Sequence, residues 1–239
     1  MHTAFASADI ARPRTGTLST TANAAVSIRP VTADARGEAA GTPLAGQVLT
    51  FAEGSEIYCE GDEVRSFYKV VSGTVRTCKF LSDGRRQIDG FHGEGEIFGL
   101  ESGSEHRLSA EAVSDCTVIA YRWRGFAALG NGDGAAAQAV FQLAMQCLER
   151  AQEHSLLLGR RSAAQKLAAF LINLAGRGNG KGGSVDLAMT RQDIADYLGL
   201  TIETVSRTLS QFERDRVIAL PSARHVVLRN RAALEACAD

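Results

Sequence analysis

The stretch TRQDIADYLGLTIETVSRTLSQFE, residues 190–213, contains two short amphipathic segments on either side of a glycine. Thr190 precedes the first segment, and its hydroxyl is expected to cap a helix that begins at Arg191. Thr201 likewise precedes the second segment, and its hydroxyl is expected to cap the second helix. The buried stripe of that second helix is predicted to consist of three apolar residues, Val205, Leu209 and Phe212. Two helices joined by a tight glycine turn are typical of a helix-turn-helix unit.

The second helix leaves one group of residues pointing away from its buried stripe. These residues are Ile202, Glu203, Ser206 and Arg207. In a helix-turn-helix protein the N-terminal turns of the second helix enter the major groove of DNA, so this group is a candidate base-reading surface. From spacing alone, a solvated helix face with Glu203 and Arg207 as an i, i+4 pair remains the alternative. The segment VIALPSARHVVL, residues 217–228, predicts two short strands that form a wing beside the helices.

A long helix is predicted upstream, over residues 131–159, after a break rich in glycine, asparagine and aspartate. One set of residues in it recurs at alternating spacings of four and three: Val140, Ala144, Cys147, Ala151, His154 and Leu158. This spacing is typical of the seam of a two-stranded coiled coil. The sequence therefore predicts self-association along this predicted seam, and packing of the same face on the chain's own sheet domain is the alternative.

The first part of the chain divides into two regions of different composition. Residues 1–44 are rich in alanine, threonine, serine and glycine, and they are expected to form a flexible arm. Residues 45–130 contain short β-branched runs separated by glycine-containing turns, which predicts an antiparallel roll or sandwich. With a C-terminal domain over residues 160–239, the fold class is expected to be α+β.

Charge is distributed unevenly along the chain, whose net charge is −1. From residue 158 onward there are 12 basic and 8 acidic residues, so the C-terminal part is positive and the rest is negative. Such asymmetry is expected when one part of a protein binds nucleic acid. The sequence has no apolar run long enough to span a membrane, and its N-terminus has no secretory signal pattern, so we expect a cytoplasmic protein.

The segment TRQDIADYLGLTIETVSRTL, residues 190–209, resembles the DNA-binding motif of the cyclic-AMP receptor/FNR superfamily of bacterial transcription regulators. Within it, ETVSR at residues 203–207 is similar to the version found in FNR-type and FixK-type regulators. The resemblance continues through residues 156–175, 83–103 and 57–76. FixK-type proteins of rhizobia and related α-proteobacteria are the most similar. The resemblance implies a cyclic-nucleotide-binding-type β-roll (a double-stranded jelly roll), a long dimerisation helix and a C-terminal winged helix-turn-helix.

The resemblance also implies roles for particular residues. Glu203 and Arg207 would be the principal base readers and Ser206 would assist them, in a dimer bound to a palindrome of the TTGAT-N4-ATCAA type. Ile202 is suited to pack on a thymine methyl group. Phosphate contacts are expected from three residues, Thr201, Arg191 and Arg224. The expected function is a homodimeric regulator, mainly an activator, of genes for low-oxygen metabolism, nitrogen fixation or denitrification.

The switches known in this superfamily each require particular residues. An iron–sulfur oxygen sensor needs four cysteine ligands, but the first 58 residues contain no cysteine, and the five cysteines present are far apart. A cyclic-nucleotide sensor has a Gly-Glu step, present here as Gly95 and Glu96, and an Arg-Ser step, which Leu108 interrupts. The histidines offer no diagnostic haem pair. We therefore expect no cofactor; a ligand-gated regulator that uses the β-roll for a nucleotide or haem is the alternative.

Two further expectations concern partners and catalysis. The resemblance implies contact with RNA polymerase, and the candidate surface is a predicted β-turn formed by Ser82, Asp83, Gly84, Arg85 and Arg86. No combination of residues has the spacing of a catalytic triad, a P-loop or a metal-binding cupin site, so the protein is not expected to be an enzyme.

Overall fold

The computed structural model of the chain describes residues 27–29, 46–122, 134–160, 162–177 and 183–238. Three parts follow one another along the sequence: a β-roll, a long helix, and a C-terminal unit of short helices with a small sheet.

The β-roll contains nine strands within the described residues. These are β1 (Ser27–Arg29), β2 (Gly46–Phe51), β3 (Glu56–Tyr58), β4 (Ser66–Ser72), β5 (Val75–Phe80), β6 (Arg86–His92), β7 (Ile97–Phe98), β8 (Ser109–Ala112) and β9 (Cys116–Arg122). One sheet has the order β1-β2-β9-β4-β7 and the other has the order β3-β8-β5-β6. Every pairing between these strands is antiparallel.

The two sheets share one apolar core because alternate residues of their strands point to the same side. In β9, for example, Cys116, Val118 and Ala120 are buried while the residues between them are partly exposed. Val75 from the other sheet belongs to the same buried cluster. The turn between β4 and β5 requires glycine: Gly73 has a φ of +84°, and a Cβ there would lie 2.3 Å from the carbonyl oxygen of Asp115.

The predicted arm contains one described strand. Residues 27–29 form β1, which pairs antiparallel with β2 at the edge of the first sheet. The prediction of a flexible arm over residues 1–44 is therefore wrong for this short segment, because β2 offers it a free row of backbone hydrogen-bonding groups. The rest of the arm lies outside the described residues.

Two helices follow the roll. Helix α1 (Gly134–Leu158) has 25 residues. Helix α2 (Ala163–Gly176) begins with a capping box, in which the Ser162 hydroxyl accepts a hydrogen bond from the Gln165 backbone and the Gln165 side chain accepts one from the Ser162 backbone. The buried face of α2 packs against the C-terminal unit, so α2 belongs to that unit rather than to the roll.

The C-terminal unit contains three further helices and three strands. They are β10 (Ser184–Asp186), α3 (Arg191–Leu198), α4 (Ile202–Arg214), β11 (Ile218–Ser222), β12 (His225–Leu228) and α5 (Arg231–Ala238). The strands pair antiparallel in the order β10-β12-β11. The hairpin of β11 and β12 is the predicted wing.

The α+β architecture of roll, long helix and winged helix-turn-helix is confirmed. The strands of the roll, from β2 onward, and the long helix both lie within the predicted ranges, and the boundary between them, residues 123–133, is outside the described residues. Among the described helices, none combines the length and apolar character needed to cross a membrane.

Candidate nucleic-acid interface

Helix α3 is fixed at both ends by the residues that the sequence indicated. At its start, the Thr190 hydroxyl accepts a hydrogen bond from the Asp193 backbone, and the Asp193 carboxylate accepts one from the Thr190 backbone. At its end, Gly199 adopts the left-handed conformation with a φ of +63°, which lets the chain turn directly into the next helix. Ile194 and Leu198 are fully buried. Helix α3 therefore forms a rigid support for the helix after it.

Helix α4 begins at the predicted cap. The Thr201 hydroxyl accepts a hydrogen bond from the Thr204 backbone at 3.2 Å, so it already satisfies one free N–H of the helix. Val205, Leu209 and Phe212 are buried, as predicted. This anchoring determines which side of α4 faces solvent.

The predicted base-reading residues lie together on that outward side. Ile202, Glu203, Ser206 and Arg207 are all exposed, within the first two turns of α4. The pKa of Glu203 is lowered by its own backbone N–H at the start of the helix and by the Thr201 hydroxyl, with a smaller contribution from Arg207. Glu203 is therefore an anion at neutral pH, and the surface carries one acceptor, one cation and one hydroxyl that are free to meet base edges.

Arg191, the first residue of α3, has an incomplete set of partners. One terminal nitrogen of its guanidinium is buried and has no hydrogen-bond partner among the described residues. Burial also lowers the pKa of this arginine. A buried donor without an acceptor is costly, so rotation of this side chain outward to an anionic oxygen, such as that of a DNA phosphate, would be favourable.

Arg224 lies at the tip of the wing, where its guanidinium contacts Glu53 of the roll at 3.6 Å. Both side chains are more than half exposed, so this ion pair is weak and opens readily in favour of another anion. The wing itself is held by a hydrogen bond of 2.5 Å between His225 and Asp186 across β10 and β12.

Comparison with known proteins assigns both halves of the chain. Residues 165–237 match the Crp-like helix-turn-helix domain family, and residues 48–133 match the cyclic nucleotide-binding domain family. The nitrogen fixation regulation protein FixK of Azorhizobium caulinodans is 48% identical over 79% of this chain and 78% of that protein. FixK of Rhizobium meliloti is 42% identical over 80% of this chain and 88% of that protein.

The chain is a FixK-type member of the cyclic-AMP receptor/FNR superfamily of transcription regulators. The solved structure of FixK2 from Bradyrhizobium japonicum has the same architecture, with a TM-score of 0.78 at 41% identity over 82% of this chain and 98% of that chain. In this FixK-type regulator the helix-turn-helix unit is the DNA-binding domain, and the exposed side of α4 is its candidate reading surface.

The charged residues at the nucleotide-binding positions considered above are each paired with other residues of the chain. The Glu96 carboxylate contacts Arg150 of α1 at 3.4 Å and Arg177, just after α2, at 3.3 Å. The Arg107 side chain is 80% exposed and pairs with Glu101 at 2.9 Å. In this FixK-type regulator, the Glu96 carboxylate and the Arg107 guanidinium therefore both have partners within the protein.

A cavity of about 250 Å³ nevertheless lies where the roll, α1 and the DNA-binding domain meet. Its lining includes Tyr58, His92, Leu108, Arg150 and Tyr197. The Nε2 atom of His92 lies 3.0 Å from the Thr77 hydroxyl, and its Nδ1 is buried without a partner among the described residues. Burial, together with Arg150 and Arg177, lowers the pKa of His92 to about 3, so the ring is neutral.

The cysteines of the FixK-type regulator do not form a group. All five are free thiols. Within the described part of the chain, no cluster of three or more histidine, cysteine or acidic side chains is arranged to hold a metal ion.

The long helix α1 presents a different apolar row from the predicted seam. Its exposed large apolar residues are Phe141, Met145, Leu148 and Leu156. At 3.6 residues per turn, this row lies about a third of a turn around the helix from the predicted seam. Of the predicted residues, Ala144 and Ala151 are exposed beside the row, while Cys147 and Leu158 are partly buried; the side chain of Val140 is outside the description.

His154 does not have the place that the predicted seam gave it. Its ring stacks on Tyr197 of α3 with centroids 4.1 Å apart, and its Nε2 lies 2.9 Å from the carbonyl oxygen of Tyr197. A carbonyl only accepts, so Nε2 carries the proton and donates it. His154 therefore faces the DNA-binding domain of its own chain, because that domain packs against the side of α1 that the spacing assigned to a partner.

Only four of the five residues predicted to contact RNA polymerase lie on an exposed turn. Ser82, Asp83, Gly84 and Arg85 form an exposed turn, closed by an ion pair of 2.7 Å between Asp83 and Arg85. Arg86 is different: it belongs to β6, is only 18% exposed, and contacts Asp193 and Asp196 of α3. The prediction that Arg86 lies on an exposed loop is wrong, because two carboxylates of the DNA-binding domain hold it inward.

Sequence reasoning missed this connection between the roll and the DNA-binding domain. The ion pairs join residues more than 100 positions apart, and no local spacing relates them. One of the two arginines that meet Asp193, Arg86, was predicted to belong to the exposed turn, and no role was predicted for Arg76.

Proposed function

We propose that this FixK-type protein is a homodimeric transcription activator that reads a TTGAT-N4-ATCAA-like palindrome and controls genes for low-oxygen metabolism, of the nitrogen-fixation or denitrification type. It acts in the cytoplasm, holds neither an iron–sulfur cluster nor a cyclic nucleotide, and has no catalytic activity. The observation that carries the proposal is the exposed row of Glu203, Ser206 and Arg207 on α4. The N-terminus of this helix is capped, and its opposite side is buried. The curated names of the FixK relatives support the class of genes.

The chemistry of this row matches the proposed half-site. The Arg207 guanidinium is able to donate two hydrogen bonds to O6 and N7 of guanine, and the ionised Glu203 accepts one from the amino group of cytosine. Ser206 lies between them and reaches a thymine edge. Arg191 and Arg224 then contact phosphates on either side, which sets the register of the helix in the groove.

The proposed homodimer forms through the exposed apolar row of α1. Four large apolar side chains on one side of α1 would otherwise face water, and two copies of the row cover each other in a parallel pair. Two copies of α4 would then lie about 34 Å apart, which is the distance between successive major grooves on one side of DNA.

The absence of a resident switch is proposed from the residues themselves. The first 58 residues contain no cysteine that would complete a cluster. Glu96 is already bonded to two arginines, and Leu108 interrupts the step that would hold a phosphate. Activity would then depend on how much protein is made. For the same regulator, the exposed turn of residues 82–85 is the proposed contact with RNA polymerase.

A footprint on genomic DNA with purified protein tests the core of the proposal. Under air and under strict anaerobiosis, and with no small molecule added, we expect the same protected palindromes at the same protein concentration. Protection that appears in only one of the two atmospheres, or that lacks two-fold symmetry, contradicts the proposal.

The cavity beneath α1 favours one second candidate, a regulator of the same superfamily gated by a ligand in the β-roll. Its lining combines aromatic rings with an arginine and a neutral histidine, as small-molecule sites often do. Under this alternative, addition of cyclic AMP or haem raises both the DNA affinity and the melting temperature of the protein. If the cavity binds neither ligand, neither quantity changes.

A further inference from the structure

Five charged residues join the roll to the DNA-binding domain. Arg76 of β5 and Arg86 of β6 contact the same oxygen of Asp193, at 3.0 and 2.5 Å. Arg86 also contacts Asp196, one turn further along α3, at 2.8 Å. Arg76 completes the group through Glu111 of β8. We call these residues, Arg76, Arg86, Glu111, Asp193 and Asp196, the clamp.

The clamp is shielded from solvent. Asp193 is 2% exposed, and the side chains of Arg76 and Arg86 are 17% and 18% exposed. Charges at this depth are screened only weakly by salt, and removal of one partner leaves the other charge without compensation. The clamp therefore differs from the surface ion pair between Lys79 of β5 and Glu60, whose side chains are 46% and 40% exposed.

Asp193 connects the clamp to the reading helix. Its second oxygen accepts hydrogen bonds from the backbone and hydroxyl of Thr190, at 3.0 and 2.8 Å. One carboxylate thus fixes the start of α3 and binds the roll at the same time. Helix α3 packs against α4, and Arg191 lies two residues before Asp193. A change in the angle between the roll and α3 would therefore move the reading surface and the phosphate contact together.

The aromatic contacts across the same junction are less directional. Tyr197 of α3 packs on Phe91 of the roll and on His154 of α1, with centroid distances of 5.3 and 4.1 Å. Apolar and stacking contacts hold surfaces together but permit small rotations, whereas two guanidiniums on one carboxylate define a direction. The aromatic contacts keep the domains associated, and the clamp sets their orientation.

We propose that Asp193, Arg76 and Arg86 are positioning residues that fix the direction in which the reading helix leaves the roll, and so determine which half-site spacing the dimer accepts. This inference rests on the proposed function, since spacing has meaning only for a dimer on a palindrome. The two reading helices must reach grooves a helical turn apart, and a loosely oriented pair adapts to more than one spacing.

The test compares DNA affinity for the TTGAT-N4-ATCAA palindrome with affinity for versions whose spacer is shorter or longer by a base pair. Arg86→Gln removes the bridge to both aspartates. Asp193→Asn removes the charge but retains an oxygen for the Thr190 hydrogen bonds. Lys79→Gln is the matched control, because it removes a positive charge from an exposed ion pair on β5, the strand that also carries Arg76.

The unaltered protein and Lys79→Gln should discriminate strongly between the correct and the altered spacers. In Arg86→Gln and Asp193→Asn, the ratio of the two affinities should fall about fivefold or more, because the coupling between the domains is reduced. A merely structural role predicts a different result, in which affinity for every spacer falls by the same factor and the ratio stays constant; that result overturns the proposal.

Circular dichroism and light scattering establish first that each variant is folded and dimeric. If Arg86→Gln does not fold, Arg76→Gln carries the same expectation, because it removes one guanidinium and leaves the other on Asp193. Folded variants with an unchanged spacer ratio overturn the proposal. Failure of the unaltered protein to bind any palindrome would instead refute the proposed function, so the two failures are distinguishable.

Discussion

The side chains of α4 include a buried set and an exposed set. Val205, Leu209 and Phe212 are buried against the rest of the domain, while Glu203 and Arg207 are exposed. The spacing in the sequence predicted this division because a helix places residues three and four apart on one side. Their roles towards particular bases remain predictions.

Arg207→Ala is expected to weaken specific binding by ~1–3 kcal/mol for each half-site, because a bidentate contact to guanine is lost. Binding to random DNA should change little. Competition titrations with palindromic and random duplexes measure both. Arg214→Ala is the control, since Arg214 is exposed at the other end of the same helix; equal losses on the two DNAs would refute base reading by Arg207.

Arg191→Gln tests the phosphate contact inferred from its unpartnered guanidinium nitrogen. Each phosphate contact contributes ~0.9 to the slope of log affinity against log salt concentration, so a dimer that loses two contacts should show a slope shallower by roughly 2. Specific and random DNA should be affected alike. Arg231→Gln, which removes an arginine paired with Glu235 on α5, should leave the slope as it was. An unchanged slope in Arg191→Gln contradicts the phosphate role.

At the scale of the element, helix α1 has the predicted apolar repeat, but one residue of the predicted seam packs within its own chain. The sequence predicted a long helix and an apolar repeat, and the helix is present. The repeat that looked like a dimer seam contains His154, which packs on Tyr197 of its own chain. Periodicity determines which residues share a side, but α1 has apolar residues on both its buried and its exposed sides, and only packing shows which side faces the rest of the chain.

Leu148→Glu is expected to separate the proposed dimer into monomers, because it puts a charge in the middle of the exposed apolar row. Sedimentation equilibrium measures the change, and affinity for the palindrome should fall with it. Gln146→Glu adds the same charge at an exposed position on another side of α1, and it should remain dimeric. A dimeric Leu148→Glu protein would place the interface elsewhere.

At the scale of the whole molecule, the roll, α1 and the DNA-binding domain meet around buried polar groups. His92 of the roll is influenced by Arg150 of α1 and by Arg177 after α2, and burial with these two cations lowers its pKa to about 3. The unfolded chain binds a proton at this histidine near pH 6.5, but the folded protein does not until about pH 3. Stability should therefore fall as pH decreases across this interval.

Urea unfolding between pH 7 and pH 4 measures this dependence. His92 contributes at most ~1.4 kcal/mol for each pH unit, with the folded state losing stability towards acid. His92→Gln, which keeps a partner for Thr77 but does not titrate, should have a shallower pH dependence over the same range. His225→Gln, a substitution on the exposed wing, should retain the steep pH dependence of the unaltered protein. Parallel curves for His92→Gln and the unaltered protein would show that His92 is not protonated on unfolding.

The sequence by itself determined the order of the domains, the helix-turn-helix, its caps at Thr190 and Thr201, and the outward row on α4. These features depend on local spacing, turn residues and capping, which act between residues close together in the chain. Only the tertiary structure decided that Arg86 faces Asp193 rather than solvent, that His154 belongs to an internal contact, and that residues 27–29 extend a sheet. Those outcomes depend on which surfaces of distant segments meet, and pairing across such distances leaves no periodic trace in the sequence.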